Sequence, residues 1–590
     1  ELESECSRRD LRAKEMGQDA VEGVSGPPAQ TDLPTIHARS WEPISELEFV
    51  HSLPSKSARS ELLRFVAERH DGHIETVAKC WDEGRAPHSF DGGQYHEFSI
   101  DLVRRIGDVL SERILGPLIA EVGECEVMPR RTGASHIGRR NDRFLLDIRI
   151  CLRRIAYESS ISIEQRMQWQ RWMTRTRIID EHLKELFTDG IPTPDGGRFG
   201  GKGFRSTWQE GIVACASALD RAVDKQGDGL DDSDIVAPMI RDVGLALAMG
   251  QTPLEVFTAQ MGKSGSYMDG GNEGSGGRDL HIGNWEKGIL PPTAPLPIAS
   301  ATATGVALAS LRMGLKRFHL APVGEGCSSS GEFWEAMNLA GTRGLPICYM
   351  IQNNQIALDT FVVGQSGAET FGDKGYAMGI PSWTIDGSDP SQFYSSVCVA
   401  KEIAMSGGGA TLIHVETMRG CGHAHHHDDL YLGSISGTPP GYVDQGLLAY
   451  WSDKDPLPNH RNLLISLGGS EKELQTMESE EREFVDNSRA EMEEMAWPEG
   501  NSVGEGVTSI YNARSHAQQF DTINSEREAG ASVLAPGEVS MQFSDASNSW
   551  TFSRSIQNAM VVLAEKYGDQ IVFMGEDMEV AGAFGMNIPL

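Results

Sequence analysis

The chain has 590 residues, 39% of them hydrophobic and 23% charged, which is ordinary for a soluble protein and long enough for more than one packed domain. Its 84 acidic and 52 basic residues give a formal charge of −32, the wrong sign for a sequence-independent nucleic-acid binder. The nine cysteines are scattered and lack C-x-x-C spacing, which points to free thiols in a reducing compartment rather than to a disulfide or zinc framework.

In chain order, residues 1–45 are polar, carry Pro27, Pro28 and Pro34, and read as a flexible leader. Residues 56–122 show helical periodicity, as in SARSELLRFVAERH and SIDLVRRIGDVLSERILGPLIAEVG, and residues 46–140 read as a helical accessory region. Residues 141–465 form the main expected domain. It opens with a helical block that Gly190 and Pro192 stop, after which the short apolar runs FHLAPV, PICYMI, SWTI and TLIHVET alternate with helices. That alternation predicts an α/β fold, a doubly wound parallel sheet with helices on both faces. Ligands of such sheets sit beyond the C-terminal ends of the strands.

Residues 466–546 read as an acidic helix and a linker, with the acid of Glu471–Glu494 expected to keep a face solvated. Residues 547–590 start a second α/β unit, a helix SRSIQNAMVVLAEKYG followed by a strand QIVFMGED. The chain begins at Glu1 and ends just after that strand, so a fragment or processed piece is expected. No signal peptide is visible, and no apolar run reaches the roughly 18 residues of a membrane span.

The most informative stretch is GEGCSSSGEFWEAMNLAGTRGLPICYMIQNN, residues 324–354. It sets the Glu325 carboxylate and the Asn354 carboxamide at the C-terminal ends of two strands, with a helix starting near Ser330 between them. Mg²⁺ takes about six oxygens at roughly 2.0–2.1 Å. Glu325, the Asn354 side-chain oxygen and a backbone carbonyl just after it can supply three, and a diphosphate two. Gly324 and Gly326 would let phosphates approach the backbone, and the helix start would favour their charge.

This segment resembles the thiamine diphosphate motif of the α subunit of 2-oxo acid dehydrogenases, their decarboxylating first component. The family's usual Gly-Asp-Gly is Gly-Glu-Gly here, similar to the branched-chain enzymes. The resemblance runs from about 165 to 450 and includes DIVAPMIRDVGLALAMGQTPLEVFTAQ, residues 234–260. It implies a thiamine diphosphate-binding fold with Mg²⁺ held by Glu325, Asn354 and the main-chain oxygen of Ile356, where the family often has Tyr. It also implies a diphosphate grip by Arg241, with Ile240 replacing a family tyrosine, and a hydrophobic support under the cofactor rings from Leu296.

VETMRGCGHAHHHDDLYLG, residues 415–433, could be read as a metal cluster, but adjacent histidines in a Gly-rich loop lack fixed ligand geometry. It is similar to the family's histidine loop, in which Arg419 and His423 bind cofactor and His423 handles protons, with His425 a secondary helper. Ala424 stands where mitochondrial members carry a phosphorylated serine. IVFMGEDMEVAGAFG, residues 571–585, resembles the opening of the family's β subunit, and Glu576 matches the glutamate that faces N1′ of the aminopyrimidine.

The resemblance implies thiamine diphosphate- and Mg²⁺-dependent oxidative decarboxylation of a 2-oxo acid, with acyl transfer to a lipoyl-bearing transacylase of a multienzyme complex. A β-type domain or second copy would complete the site, so residues 1–590 alone are expected to be inactive. Branched-chain acids lead among substrates, and bacterial cytoplasm and mitochondrial matrix both fit. The alternatives are a transketolase-like thiamine diphosphate enzyme and a non-catalytic scaffold homologue.

Overall fold

A computed structural model describes residues 41–112, 126–128, 131–268, 280–433, 441–498 and 552–567, apart from positions 44, 202, 226–232 and 294. At its centre lies a five-stranded, all-parallel sheet of β1 (Ile235–Val236), β2 (His319–Gly324), β3 (Ile347–Asn353), β4 (Ser382–Asp386) and β5 (Thr411–Glu416). The spatial order is β4-β5-β3-β2-β1, so β5 is inserted between β3 and β4. Registers such as Gly324↔Gln352 and Asn353↔Glu416 bring the C-terminal ends of β2, β3 and β5 to one edge.

The period-two alternation of strand side chains separates two cores. Leu320, Cys348, Met350, Ile413 and Val415 face one, whereas Ala321, Val323, Ile347, Tyr349, Ile351 and Leu412 face the other. Helices α8 (Ile298–Arg312) and α9 (Gly331–Arg343) close the second core through Ala303, Ala307, Phe333 and Met337. The first is closed by α5 (Ile163–Asp189), α6 (Val243–Ala248), α7 (Pro253–Gln260) and α10 (Pro390–Met405). Both faces of the sheet are therefore buried, which is why its strands read as continuous apolar runs.

The same first core continues into α1 (Ser55–Arg69), α2 (Ile74–Glu83), α3 (Gly92–Leu110) and α4 (Gly133–Ser159), through Leu62, Trp81, Leu102 and Ile150. The helices expected as an accessory region thus share a hydrophobic core with the α/β domain. Trp41, within the stretch read as a leader, is buried in that core and belongs to the folded part.

Local chemistry explains several boundaries. Gly190 ends α5 at φ 64°, a left-handed value that costs glycine little. Thr252 and Glu255 form a reciprocal capping box at the start of α7, with Pro253 as its first residue.

Two further helices, α11 (Gln445–Ser452) and α12 (Pro456–Ser466), precede the acidic helix α13 (Glu471–Glu494). The expectation that this acid only solvates a face needs correction at one residue. Glu481 is 2% exposed and receives Arg171 at 2.8 Å and Arg175 at 2.6 Å, pinning α13 to α5. The helix at the start of the expected second unit is α14 (Phe552–Tyr567). The strand expected after it, with Glu576, lies outside the described residues.

His460 of α12 is buried against Gln170 of α5, with Nδ1 3.0 Å from the Gln170 oxygen, and burial lowers its pKa from 6.5 to about 3. A histidine held neutral in the fold but free to charge when unfolded removes stability as pH falls below about 6.5. The slope approaches about 1.4 kcal/mol per pH unit until the folded pKa is reached. His460→Gln is expected to flatten the fall in denaturation midpoint between pH 7 and pH 5. An unchanged pH profile would refute that role.

Candidate active site

The strand ends converge as the sequence suggests. Gly324-Glu325-Gly326 closes β2 and leads through a short 3₁₀ turn, Cys327–Ser329, into Ser330 and α9. Gly326 is required by close packing, since a Cβ there would lie 2.7 Å from the Ala357 Cβ. At Gly324 an added Cβ would meet protein only at ordinary contact distance, 3.7 Å from the Met239 sulfur. No packing among the described residues accounts for a glycine there.

Glu325 is 2% exposed and accepts the Asn354 N–H at 3.5 Å. Burial raises its pKa, with its own backbone N–H, Arg241 and Arg419 pulling the other way. Asn354 is 5% exposed, and its Oδ1 is buried with no hydrogen-bond partner among the described residues. An orphaned buried carbonyl oxygen is costly and invites a ligand. Beside the turn, Gln355 and Leu358 adopt φ of 75° and 48°, left-handed values rare outside glycine. The Gln355 side chain holds its strained backbone by donating to Glu416 at 2.8 Å and to the Thr417 carbonyl at 3.0 Å. Ile356 buries its side chain with Met418, Tyr431, Val443 and Trp451. Only its main chain remains to serve a ligand.

Arg241 and Arg419 are both buried, and each directs an Nη at Nδ1 of His423, at 3.2 and 3.1 Å. Guanidinium can only donate, so Nδ1 is the acceptor and the ring proton of the neutral tautomer sits on Nε2. The Arg241 Nη1 has no hydrogen-bond partner among the described residues, and burial, then Arg419, lowers the Arg241 pKa. Arg419 is further fixed by the Leu358 carbonyl and stacks 4.6 Å from the Tyr431 ring centroid. Phe204 meets the His423 ring edge-on at 5.3 Å. The histidine loop is tied down by Asp428, which accepts from Arg205, Lys184 and the Gly422 N–H.

Arg241, Glu325, Asn354, Arg419 and His423 are thus brought together. Leu296 is 38% exposed just ahead of α8, so it is not a core leucine. His425 packs its ring against Phe187 of α5, 5.5 Å between centroids. Among the described residues no group of histidine, cysteine and carboxylate side chains forms a metal cluster.

Sequence reasoning missed the polar support. Gln209, Asp242 and Gln352 lead to Asn354, while Asn353 donates to Glu416 at 3.0 Å and joins β3 to β5. Lys374, 5% exposed, donates to Ser328 Oγ at 2.8 Å behind the glycine turn, and burial lowers its pKa to about 8. None of these has a spacing that a sequence pattern would single out.

Residues 210–499 match the model of the dehydrogenase E1 component family, a span that holds Arg241, Glu325, Asn354, Arg419 and His423. The homologues are α-type E1 subunits. The chain is 32% identical over 218 residues to the 2-oxoisovalerate dehydrogenase subunit alpha of Bacillus subtilis, covering 37% of this chain and 62% of that subunit. It is 28% identical over 355 residues to the pyruvate dehydrogenase E1 component subunit alpha of Staphylococcus aureus, covering 60% of this chain and 81% of that one. The Bacillus subtilis pyruvate dehydrogenase E1 component subunit alpha is 30% identical over 257 residues, which cover 43% of this chain and 63% of that subunit. The chain therefore spans less than two thirds of the first of these relatives.

Proposed function

We propose that this chain carries the cation- and diphosphate-holding half of a thiamine diphosphate-dependent 2-oxo acid dehydrogenase. Its reaction would be oxidative decarboxylation of a 2-oxo acid, with acyl transfer to a lipoyl-bearing transacylase of a multienzyme complex. The observation that carries the reading is the orphaned Asn354 Oδ1 beside the buried Glu325 carboxylate, with the unpartnered Arg241 Nη1 in the same cluster. These groups fit Mg²⁺ and a diphosphate. Hard oxygen donors suit the metal, and an arginine fork suits the phosphates.

In this reading Glu325, Asn354 Oδ1 and the Ile356 carbonyl hold Mg²⁺. Arg241 and Arg419 take diphosphate oxygens, with Gly324 and Gly326 lining the approach and Leu296 supporting the rings. When bound, thiamine diphosphate supplies the electron sink for decarboxylation. His423 presents Nε2–H as its proton donor, because both arginines occupy the Nδ1 side. Glu576 is the proposed partner of the aminopyrimidine, and a β-type domain or second copy completes the site. The branched-chain class of 2-oxo acids is favoured by Gly-Glu-Gly and PLEVFTAQ. The named relatives are bacterial, which favours cytoplasm over mitochondrial matrix.

The test is a substrate panel in the presence of a β-type partner chain, thiamine diphosphate, Mg²⁺ and an artificial electron acceptor. Turnover of branched 2-oxo acids is expected, with pyruvate slower. Turnover of ketose phosphates alone would favour a transketolase-like enzyme and overturn the reading.

A further inference from the structure

The orphaned oxygen of Asn354 stands at the end of a chain of side-chain amides. Asn354 Nδ2 donates to Gln209 Oε1 at 3.4 Å, Gln209 Nε2 to Gln352 Oε1 at 3.4 Å, and Gln352 Nε2 to Asp242 Oδ1 at 2.9 Å. All four side chains are buried, with exposures of 5% or less. The direction of this chain is dictated by its far end, because an ionised carboxylate only accepts. Gln352 must then turn its NH₂ toward Asp242 and its oxygen toward Gln209. Gln209 repeats the pattern, and Asn354 must spend its NH₂ on Gln209, leaving Oδ1 free.

We infer that Asp242 is a positioning residue which sets the polarity of this amide relay and so presents the oxygen of Asn354, rather than its NH₂, to a divalent cation. The inference rests on the function proposed above. It goes beyond it by assigning Asp242, Gln209 and Gln352 a role in cation binding without contact with the cation. Side chains behind metal ligands commonly act in this way.

Asp242 also accepts the Met239 N–H through Oδ2 at 2.8 Å. In Asp242→Asn the amide oxygen keeps that bond, so the new NH₂ faces Gln352. The relay must then run in reverse, and Asn354 aims its NH₂ at the cation. The change is nearly isosteric, yet it places a donor where a ligand oxygen is needed. A second substitution repairs it. Glu at 209 only accepts, so in Asp242→Asn/Gln209→Glu it takes NH₂ from both Gln352 and Asn354, and Asn354 Oδ1 is free again.

The experiment is titration of the full chain with Mn²⁺ and thiamine diphosphate, read by electron paramagnetic resonance of free Mn²⁺. Asp242→Asn is expected to weaken Mn²⁺ retention about ten- to hundredfold, and Asp242→Asn/Gln209→Glu to recover most of it. Gln209→Leu, which leaves the carboxylate intact but removes the acceptor for Asn354, is expected to weaken retention as well. Loss of packing at Asp242 would not be rescued at Gln209. Wild-type binding with unaltered retention in Asp242→Asn or in Gln209→Leu, or a double variant no better than the single one, overturns the relay alone. Absence of Mn²⁺-dependent binding in the wild-type chain overturns the functional reading and the relay with it.

Discussion

Glu325→Gln is expected to weaken Mg²⁺-dependent binding of thiamine diphosphate about a hundredfold while leaving the ligand-free protein at least as stable as wild type. The carboxylate is buried, no lysine or arginine lies within ion-pair distance among the described residues, and burial raises its pKa. A charge so placed costs stability unless a cation compensates it. The neutral amide keeps the shape and removes that cost. It also removes the only formal charge that Glu325 and Asn354 offer to Mg²⁺, so affinity should fall by about a hundredfold, or about 2.8 kcal/mol. Melting curves with and without Mg²⁺ and thiamine diphosphate measure both effects. A ligand-induced shift as large as in wild type at the same ligand concentration would refute a ligand role for Glu325.

Arg241→Gln is expected to act with the same pair of opposite signs. Arg241 shares His423 with Arg419, and two buried guanidiniums repel each other until an anion joins them. Removing one relieves the repulsion and deletes the orphaned Nη1, so the ligand-free melting midpoint should rise. Binding of inorganic diphosphate with Mg²⁺ should weaken by about ten- to hundredfold, the usual worth of one charge-assisted pair. Arg241→Lys should restore little of it, because a point charge cannot replace the fork. Diphosphate affinity unchanged in Arg241→Gln would remove this residue from the site.

The long strands were legible because burial on both faces leaves uninterrupted apolar runs, as in PICYMI and TLIHVET. β1 escaped notice because it makes only two ladder pairs, Ile235↔His319 and Val236↔Leu320. Glu325 and Asn354 were legible as local turn chemistry at strand ends. The meeting of Arg241 with His423 across 182 residues was accessible only through resemblance to a family. Helical periodicity in α1 to α4 announces a buried face but not its partner, so their union with the main core emerges only in three dimensions. Glu481 sits in an acidic run that reads as solvent-facing. Its arginine partners on α5 lie more than 300 residues away in the chain. Gln209, Asp242 and Gln352 carry no pattern at all, because an amide relay depends on spatial order rather than on sequence spacing.

The central claim is that the ends of β2 and β3 hold Mg²⁺ and the diphosphate of thiamine diphosphate. The most direct measurement is isothermal titration calorimetry of thiamine diphosphate into the full chain, with Mg²⁺ and with the metal chelated. The expected result is saturable binding at one site per chain that disappears on chelation and in Asn354→Leu. Binding that is indifferent to Mg²⁺ and to Asn354, or no binding under either condition, would contradict it.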